Sequence, residues 1–472
     1  MTQQPSPSMP LLDSFTQLKS AFLDQPEPAL RERLIELDAI KRQLLMYKTQ
    51  LCQAVEQDFG VRPTAETQLA ELIPILETLN YIKAHLKQWM RSEKRQVSWL
   101  LQPGNAWIHH QPLGVVGIMS PWNYPIQLTL IPLLYALAAG NRVLIKPSEY
   151  TPHTTALLQQ LFSEIFPQNK VAFVASDNET AQAFSRLPFN HLFFTGATST
   201  GKKIMAAAAE QLTPVTLELG GKSPVIIGTD ADLKAACAAI IFGKGMNAGQ
   251  TCIAPDVLLC PTPAYQQICT ELAAAANALY PNCLTNPDYS TIINTQHLAR
   301  LDHLLMDAEQ KGAHIIPLSN AAEKFAPTQK RPITLVSDLR NDMLITRDEI
   351  FGPWLTIVTY DTLDEAICYV NQRPQPLALY YFGNKHSEIQ AIIHNTRSGG
   401  VCINDMLSHF AVTDLPFGGL GASGMGSYHG IEGFRTFSHA KPIFRKKLIN
   451  PTRWLYPPWN RRIHGLLFKR YF

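Results

Sequence analysis

Apolar residues between about Leu11 and Arg91 recur at spacings of three and four, as in LRERLIELDAIKRQLLMYKTQL. This period places apolar side chains on one face of a helix. The segment is therefore predicted to form amphipathic helices. From residue 92 the pattern changes to short apolar runs such as VVGIM, which are separated by Pro and Gly. Runs of this kind predict β-strands.

Strand-like and helical segments alternate through the rest of the chain. RVLIKPS, KVAFVAS, HLFFTG and TPVTLEL are predicted as strands, and PIQLTLIPLLYALAAG, TPHTTALLQQLFSEIF and KKIMAAAAEQL as the helices between them. A second alternating block runs from SPVIIG, through the helices ADLKAACAAIIFGKG and NTQHLARLDHLLMDAEQ, to VCIND at 401–405. Strands that alternate with helices form parallel sheets. The chain is therefore predicted to be an α/β protein with two parallel-sheet domains.

Length and composition are those of a large globular enzyme. The 472 residues are too many for one ordinary core, so two or three domains are expected. A net charge of +3 from 41 basic and 38 acidic residues is too small to indicate a nucleic-acid partner. The longest apolar run, LTLIPLLYALAAG at 128–140, is well short of the roughly 20 residues that cross a bilayer.

The eight cysteines form no CxxC pair and no zinc-like spacing, so neither a disulfide framework nor a metal site is predicted. The first residues, MTQQPSPSMPLLDSF, lack the basic start and the apolar run of a secretory signal. We therefore expect a reducing, cytoplasmic setting. Residues 447–472 are basic and aromatic. For this tail we favour a position on the protein surface or on a partner subunit over contact with a membrane.

Three loops carry residues that suit thiol chemistry. MNAGQTCIAPD places Cys252 between Gly249 and Pro255, which suits a side chain held at a defined place on a loop. SPWNYP fixes Asn123 between two prolines, where a neutral amide is a good donor to a developing oxyanion. In TLELGGKSP, Glu218 is followed by two glycines, which suits an acid that faces an open site.

Two segments are candidates for binding a nucleotide. HLFFTGATSTGKKIM places Gly196, Thr198 and Gly201 between a strand and a helix, which is the location of a phosphate-binding turn. A plain strand-to-helix turn is an equal alternative, because Thr198 stands where the dinucleotide motif has its second glycine. Lys146 and Glu149 in LIKPSEY follow the end of a strand, where ligands of open parallel sheets bind.

Two further segments are expected to border the same pocket. EIFGPWL at 349–355 is predicted as a strand-like alternation that presents Glu349 and Phe351 on one side, as a polar handle and an aromatic face. PFGGLGASGMGSYHG at 416–430 has no phosphate-loop pattern, and we interpret it as close backbone packing near a pocket.

The segments SPWNYP, KPSE, FTGATSTG, LELGGKSP, GQTC, EIFGP and PFGGLGASGMG, in this order, resemble the successive motifs of the NAD(P)-dependent aldehyde dehydrogenase superfamily. The resemblance covers about residues 10–440. VTLELGGKSP, MNAGQTCIAPD and SGMGSYHG are most similar to the class-3 branch, which includes fatty-aldehyde, aromatic-aldehyde and coniferyl-aldehyde enzymes. The resemblance implies NAD(P)-dependent oxidation of an aromatic or a medium- or long-chain aliphatic aldehyde to the carboxylic acid, through a cysteine thiohemiacetal and thioester.

The resemblance also implies roles for single residues. Cys252 would be the nucleophile, Glu218 the general base and Asn123 the side-chain half of an oxyanion hole that the backbone N–H of Cys252 completes. The cofactor would be held by Lys146 and Glu149 at the adenosine ribose, by Gly196, Thr198 and Gly201 near the pyrophosphate, and by Glu349 and Phe351 at the nicotinamide ribose and ring.

The choice of cofactor and substrate is less sharply indicated. Glu149 would repel a 2′-phosphate, so NAD is favoured and NADP remains open. Many members of the superfamily carry a hydroxyl residue where this chain has Ala197, so one phosphate contact is missing here. Tyr124, Met246 and Thr251 neighbour the catalytic positions and are predicted to line an apolar substrate pocket that tolerates aromatic groups.

The superfamily's architecture implies a division of this chain into two Rossmann-like domains and a small oligomerisation element of a homodimer. The predicted parts are a cofactor-binding domain (1–90 and 113–218), a catalytic domain (219–400), the oligomerisation element (91–112 and 401–446) and the tail (447–472). Three other functions stay open at this point: a dehydrogenase that passes the thioester to coenzyme A, a cofactor-free thiol esterase, and a non-enzymatic binding or structural protein that kept the fold.

Overall fold

A computed structural model describes residues 11–318 and 328–472. The chain is an α/β protein with parallel sheets, as the alternating pattern predicts. The first ten residues of the predicted segment 1–90 lie outside the described residues. Within the described ranges, no helix combines the length and the apolar character needed to cross a membrane.

Five α-helices lie at the amino terminus, as the three-and-four spacing predicts, and thirteen more follow within the described residues. They are α1 (Leu11–Asp24), α2 (Leu30–Met46), α3 (Lys48–Phe59), α4 (Thr64–Thr67), α5 (Ile73–Trp89), α6 (Gln127–Ala139), α7 (Pro152–Ser163), α8 (Asn178–Ser185), α9 (Thr198–Ala209), α10 (Leu233–Gly245), α11 (Tyr265–Leu279), α12 (Thr295–Gln310), α13 (Leu344–Arg347), α14 (Leu363–Asn371), α15 (His386–Asn395), α16 (Ser408–Ala411), α17 (Gly430–Thr436) and α18 (Arg462–Tyr471). One π-helical turn, Gln68–Leu72, joins α4 to α5.

The strands lie between these helices. They are β1 (Glu93–Arg95), β2 (Gly104–Pro112), β3 (Val115–Met119), β4 (Arg142–Lys146), β5 (Val171–Phe173), β6 (His191–Thr195), β7 (Val215–Glu218), β8 (Pro224–Ile227), β9 (Val257–Pro261), β10 (His314–Pro317), β11 (Thr334–Ser337), β12 (Trp354–Tyr360), β13 (Ala378–Phe382), β14 (Gly400–Ile403), β15 (Gly424–Met425) and β16 (Ser438–Lys446).

The strands form three sheets. One has the order β15-β7-β6-β3-β4-β5 and is parallel except at β15, which runs antiparallel to β7. A second has the order β10-β11-β12-β9-β8-β13-β14 and is parallel except at β10. The third is a small antiparallel sheet of β1, β2 and β16. The two parallel sheets are those that the alternating pattern predicts.

Each parallel sheet is covered on both faces, which explains its nearly continuous apolar strands. In β3, Val116 and Ile118 join the large core shared with α2, α5 and α6, while Val115 and Met119 face the core formed with α1, α8 and α9. The same alternation operates in β8, where Ile226 belongs to a third core with α14 and α15. Because successive side chains of a strand point to opposite faces, each strand contributes to two cores.

One local prediction is wrong. EIFGPWL does not form a strand along its length, because residues 349–353 are a loop and β12 begins only at Trp354. Phe351 has a φ of 50°, in the left-handed region that an extended strand does not visit. Glu349 and Phe351 reach the same cleft through this loop turn and not through strand alternation.

Candidate active site

A cleft of about 970 Å³ lies at the carboxyl ends of β6 and β7. Thr195 and Glu218, the last residues of those two strands, line it. Asn123, Cys252 and Glu349 line it as well, from loops outside the six-stranded sheet. Ligands of open parallel sheets bind at this edge, outside the carboxyl ends of the strands. The three predicted catalytic residues, Asn123, Glu218 and Cys252, therefore face one common cleft.

The loop that carries Cys252 follows α10 and a short turn, Met246–Gly249, and it leads into β9. Gly249 is required in this turn, because its φ is +75° and an added Cβ would lie 2.1 Å from the carbonyl oxygen of Gly352. Asn247 and Ala248 also have positive φ, of 50° and 49°. Non-glycine residues pay about 1 to 2 kcal/mol each for such a conformation. The half-buried Cys252 thus sits on a strained, closely packed loop.

The Cys252 thiol is strongly held in its neutral form. Its pKa is raised to about 12, first by burial and then by the Glu349 and Glu218 carboxylates. Burial favours the neutral thiol because a thiolate loses its hydration there, and two neighbouring negative charges act in the same direction. Attack by this sulfur therefore requires removal of its proton to a base.

Glu218 is a candidate for that base. It is buried at the end of β7, and neither oxygen of its carboxyl group has a hydrogen-bond partner among the described residues. Burial raises the pKa of Glu218 well above its ordinary value. An unpartnered buried carboxyl group is costly and is typical of a functional site. Leu217 and Leu219, its neighbours in the chain, are buried in a core, so only the cleft is open to Glu218.

Asn123 is held against the Cys252 loop. Its side-chain nitrogen Nδ2 donates to the carbonyl oxygen of Gln250, at 3.1 Å. An amide nitrogen carries two N–H groups, so one bond fixes its orientation and the other donor is left for a ligand. Because Asn123 lines the cleft, that second donor is available to a ligand there.

Glu349 packs directly against the glycine pair that follows Glu218. A Cβ on Gly220 would lie 2.1 Å from Oε2 of Glu349, so any larger residue at position 220 would force the Glu349 side chain to move. The pKa of Glu349 is raised to about 8, by burial and then by Asp256. Asp256 also accepts the backbone N–H of Ile350 at 2.8 Å and pairs with Lys222, which together hold the 349–353 loop in place.

The amino terminus of α9 opens onto the cleft. Ala197 precedes this 12-residue helix and offers no side-chain cap, so its first N–H groups are free for an anion. Gly196 and Thr198 line the cleft, and the Thr198 hydroxyl donates to the carbonyl oxygen of Ala422 at 3.1 Å. Gly201 is buried one turn further on and faces Leu219.

Besides Gly201, five predicted residues lie outside the residues that line the cleft. Lys146 ends β4, and its Nζ pairs with Oε2 of Glu149 at 3.3 Å. Tyr124 and Thr251 are buried and share a hydrogen bond of 2.7 Å between their hydroxyl oxygens. Met246 is half-buried at the start of the turn before Cys252. Their roles as ribose clamp and substrate pocket stay predictions.

Sequence reasoning missed several residues of the cleft. His297 and Arg300 reach it from α12, and Arg300 donates to the carbonyl oxygen of Glu349 at 3.2 Å. Their helical spacing resembles that of any amphipathic helix, so the sequence carries no signal for them. Trp122 and Lys222 lie inside motifs that were identified, and the structure adds both to the lining. Ala422, from the glycine-rich segment 416–430, also lines the cleft, as close packing near a pocket predicts.

The fold and the cleft together define an α/β protein of the nucleotide-binding type with a cysteine and two carboxyl groups at its binding edge. The model of the aldehyde dehydrogenase family matches residues 18–443. The chain is 48% identical over 457 residues to a Pseudomonas aeruginosa protein named a probable coniferyl aldehyde dehydrogenase, covering 96% of this chain and 95% of that protein. It is 39% identical over 446 residues to mouse aldehyde dehydrogenase family 3 member A2, covering 93% and 90%.

A solved structure of Staphylococcus aureus AldH in its substrate-bound state superposes with a TM-score of 0.92 at 36% identity, covering 98% of this chain and 100% of that chain. The chain belongs to the aldehyde dehydrogenase family, in a class-3-like branch. It is an enzyme that oxidises an aldehyde to the carboxylic acid with NAD(P) as cofactor, as the order of its motifs predicts.

The cleft fits this cofactor. The uncapped amino terminus of α9 suits a pyrophosphate, and Glu349 is a carboxyl group in the cleft lining that can accept hydrogen bonds from ribose hydroxyls. Lys202 on α9 adds a positive charge to the lining. No metal is called for by this chemistry, and among the described residues no cluster of His, Cys, Asp and Glu is placed to bind one.

Proposed function

We propose that Cys252 is the nucleophile of an aldehyde dehydrogenase that acts on aromatic, cinnamyl-type aldehydes. The observation that carries this proposal is the shared cleft of Cys252 and Glu218, in which the Glu218 carboxyl group has no hydrogen-bond partner among the described residues. A thiol beside a free carboxyl group is the arrangement that nucleophilic catalysis with base assistance requires.

The first step forms a carbon–sulfur bond. The Cys252 proton passes to a base, the sulfur attacks the aldehyde carbon, and the carbonyl electron pair moves onto oxygen to give a thiohemiacetal oxyanion. The free Nδ2–H of Asn123 and the backbone N–H of Cys252 donate to that oxygen. The hydride acceptor of this chemistry is NAD(P)+, which supplies the two-electron oxidation when it is bound. Loss of the hydride leaves Cys252 as a thioester.

The second step cleaves the thioester with water. Glu218 removes a proton from the water, the hydroxide adds to the thioester carbon, and the Cys252 thiolate leaves with the carboxylic acid released. The raised pKa of Glu218 makes its carboxylate a stronger base but reduces the ionised fraction near neutral pH. Because both Cys252 and Glu218 act in ionised form, turnover is expected to rise with pH.

We also propose which residues would hold the cofactor. Glu349 and Phe351 would hold the nicotinamide ribose and ring, and the amino terminus of α9 would hold the pyrophosphate with Gly196 and Thr198 beside it. Lys146 and Glu149 would hold the adenosine ribose. Their present ion pair of 3.3 Å keeps both side chains at the end of β4, where a ribose would meet them.

NAD+ is the proposed preferred cofactor. Glu149 would accept hydrogen bonds from ribose hydroxyls and repel the charge of a 2′-phosphate. Glu149→Gln should therefore raise the ratio of kcat/KM with NADP+ to kcat/KM with NAD+, by about 3- to 10-fold. Glu164→Gln, at an exposed acid away from the cleft, is the control. An unchanged ratio in Glu149→Gln would place the ribose elsewhere.

The aromatic substrate class is supported by the relatives. The Pseudomonas aeruginosa protein and a Pseudomonas sp. protein that is 43% identical over 454 residues are named for coniferyl aldehyde. Trp122, His297 and Phe351 add an aromatic cluster to the cleft, with Trp122 centred 4.8 Å from His297 and 5.4 Å from Phe351. Tyr124, Met246 and Thr251 are proposed to shape the substrate side of Cys252. Medium- or long-chain aliphatic aldehydes are the alternative substrates.

The reaction product distinguishes this proposal from a dehydrogenase that passes the thioester to coenzyme A. Purified enzyme is incubated with NAD+ and coniferyl aldehyde, with and without coenzyme A, and the products are separated by chromatography. We expect the free acid and reduced cofactor in equal amounts, and no acyl-coenzyme A, because Glu218 supplies a base for hydrolysis. Cys252→Ser should abolish turnover while NADH binding, followed by fluorescence, persists. Retained turnover in Cys252→Ser would refute the proposal.

The substrate class is tested separately, by comparing kcat/KM across cinnamyl aldehydes and straight-chain aldehydes of increasing length. A higher value for the aliphatic series would replace the aromatic proposal but leave the dehydrogenase chemistry intact. If neither series reduces NAD+, the chain would be a binding protein with the fold of an enzyme.

We also propose an assembly and a setting. Residues 1–90 and 113–218 would form the cofactor-binding domain, residues 219–400 the catalytic domain, and residues 91–112 with 401–446 the oligomerisation element of a homodimer. All eight cysteines are free thiols, which suits the reducing cytoplasm. The tail 447–472 would lie on the partner subunit.

A further inference from the structure

A buried arginine lies directly behind the two loops that carry Asn123 and Cys252. Arg62 precedes α4, and its side chain is fully shielded from solvent. Its guanidinium carbon is 4.9 Å from the ring centres of both Phe59 and Tyr124, so the group is sandwiched between two aromatic faces. A buried charge in such a place is costly unless its partners require it.

Arg62 bonds to both loops through one nitrogen. Nη1 donates to the backbone carbonyl oxygen of Asn123 at 3.1 Å and to Oδ1 of Asn247 at 2.8 Å. Asn123 belongs to the loop before α6, and Asn247 to the turn before Cys252. The guanidinium is therefore a bridge between a predicted oxyanion donor and the segment that leads to the predicted nucleophile.

Asn247 extends this bridge to the residues beside Cys252. Its Nδ2 donates to the carbonyl oxygens of Asn123 at 3.0 Å and of Gln250 at 3.1 Å. Gln250 returns a bond from its Nε2 to the carbonyl oxygen of Asn247 at 2.9 Å. These bonds hold the left-handed turn at Asn247 and Ala248, whose conformation other contacts have to stabilise.

Two acids on the next helix complete the environment of Arg62. Oε1 of Glu66 lies 3.3 Å from Nε of Arg62, and Oε1 of Glu71 lies 3.8 Å from its Nη2. Glu66 also accepts the backbone N–H of Asn247 at 2.6 Å, and Glu71 accepts that of Ile126 at 2.8 Å. Both carboxyl groups thus form an ion pair with Arg62 and accept a hydrogen bond from one of the two loops.

The π-helical turn explains how both acids face Arg62. Residues five apart lie on different faces of an α-helix, since about 3.6 residues make one turn. In Gln68–Leu72 the bonding widens to five residues, with the Ile73 N–H donating to the carbonyl oxygen of Gln68. The wider turn aligns Glu66 and Glu71 on one side. Such local departures from regular helix are frequent at functional sites.

We propose that Arg62 is a positioning residue of the thiol reaction, which sets the spacing between the Asn123 amide and the Cys252 loop. This rests on the proposed roles of Asn123 and Cys252. Arg62 reaches neither the cleft nor a reacting atom, so its effect passes through the two loops. Lysine is a poor replacement, because its ammonium group is a single nitrogen, whereas the planar guanidinium meets the two loop oxygens with Nη1 and the two acids with Nε and Nη2.

The test compares Arg62→Lys with Arg33→Lys. Arg33 is equally buried and also donates to backbone carbonyl oxygens, of Pro28 and Ala138 at 2.9 Å each, but it contacts neither loop. Both variants should lose stability to a similar extent in thermal unfolding. Only Arg62→Lys should lose about 10- to 100-fold in the single-turnover rate of cofactor reduction, the expected effect of a misplaced oxyanion donor. Its Kd for NADH should remain within about twofold of that of Arg33→Lys.

A second variant decides the matter if Arg62→Lys does not fold. Glu71→Gln keeps an oxygen acceptor for the backbone N–H of Ile126 and removes the charge that faces Arg62. Glu71→Gln should also lower the single-turnover rate, but by less than Arg62→Lys does. A single-turnover rate that matches Arg33→Lys in Arg62→Lys, or the wild-type rate in Glu71→Gln, would overturn the positioning role. Failure of the proposed function would instead show in the wild type and in Cys252→Ser.

Discussion

Cys252, Glu218 and Glu349 share one cleft, and each is held in its neutral form more strongly than in water. Burial is the first cause for all three groups, and each carboxylate then opposes ionisation of the thiol. The thiol is thus poorly reactive until a charge near it is removed or compensated. This coupling can be tested one charge at a time.

Glu349→Gln should lower the pKa of Cys252 in the enzyme without cofactor, because Glu349 is the largest charged contributor to its elevation. The pKa of Glu349 is about 8, so its charge is present above that pH, and the effect should appear between about pH 8 and 10. We expect the rate of Cys252 alkylation by iodoacetamide to rise roughly 3- to 10-fold at pH 9. Peptide mass spectrometry resolves Cys252 from the exposed Cys368, which serves as the internal control.

Asp348→Asn is the matched variant, since it removes the neighbouring carboxylate, which also lines the cleft but does not contribute to the pKa of Cys252. Its alkylation rate should stay at the wild-type value. Equal rates in Glu349→Gln and Asp348→Asn would mean that Glu349 carries no charge near the sulfur.

Glu218→Gln separates the two chemical steps. Without a base for water, thioester hydrolysis should slow by about 100-fold or more, while cofactor reduction continues for one turnover. Stopped-flow absorbance should then show a burst of about one reduced cofactor per subunit followed by a collapsed steady rate. If burst and steady rate fall together, Glu218 also takes the proton from the Cys252 thiol.

At the scale of elements, the prediction of two parallel sheets is confirmed. The prediction was possible because the strands are buried on both faces and therefore appear as continuous apolar runs, such as HLFFT in β6. Other features leave no such trace. The π-helical turn at Gln68–Leu72 lies inside a run whose apolar spacing looks like any α-helix. EIFGPWL alternates like a strand, yet tertiary contacts of Asp256 and Arg300 fix it as a loop.

The candidate site shows the same division. Motif residues beside prolines and glycines, such as Asn123 and Cys252, could be identified because their backbone chemistry is local. Residues brought to the cleft by the packing of a distant helix, such as His297 and Arg300, could not be. Contacts between loops, such as that of Arg62 with Asn123, depend on the whole fold and were equally hidden.

The turn before Cys252 gives a prediction at this scale. Gly249→Ala places a Cβ 2.1 Å from the carbonyl oxygen of Gly352 and forces the loop to move. Gly312→Ala, whose φ is +93° and whose Cβ would meet nothing within 4 Å, carries the backbone strain alone. Both should lose about 1 kcal/mol or more of unfolding free energy. Only Gly249→Ala should also lose kcat, by at least about 10-fold. Equal kcat values would show that the loop tolerates displacement.

At the scale of the whole molecule, the tail at residues 447–472 forms an exposed surface with basic and aromatic side chains. Residues 447–472 carry six Lys and Arg residues and no Asp or Glu. Their aromatic side chains are largely exposed, with Trp454 at 62%, Trp459 at 67% and Phe468 at 55% of full accessibility. The tail contacts the segment between β1 and β2, where the Lys447 N–H donates to the carbonyl oxygen of Pro103 at 3.3 Å and Trp99 Nε1 donates to the Tyr471 hydroxyl at 2.9 Å. Exposed apolar groups on this scale indicate an interaction surface.

Removal of residues 447–472 should therefore weaken the proposed homodimer. We expect the full chain to elute as a dimer in size-exclusion chromatography with light scattering. The truncated chain should have a dimer dissociation constant at least about 10-fold higher, because it would lose the proposed aromatic contacts to the partner subunit. A triple variant of Trp454, Trp459 and Phe468 to Ser keeps the charge of the tail and should behave like the truncation. Sedimentation with vesicles of anionic phospholipid gives the opposing outcome. If the full chain is monomeric and binds these vesicles only when the tail is present, the surface faces a membrane and the dimer assignment of the tail is wrong.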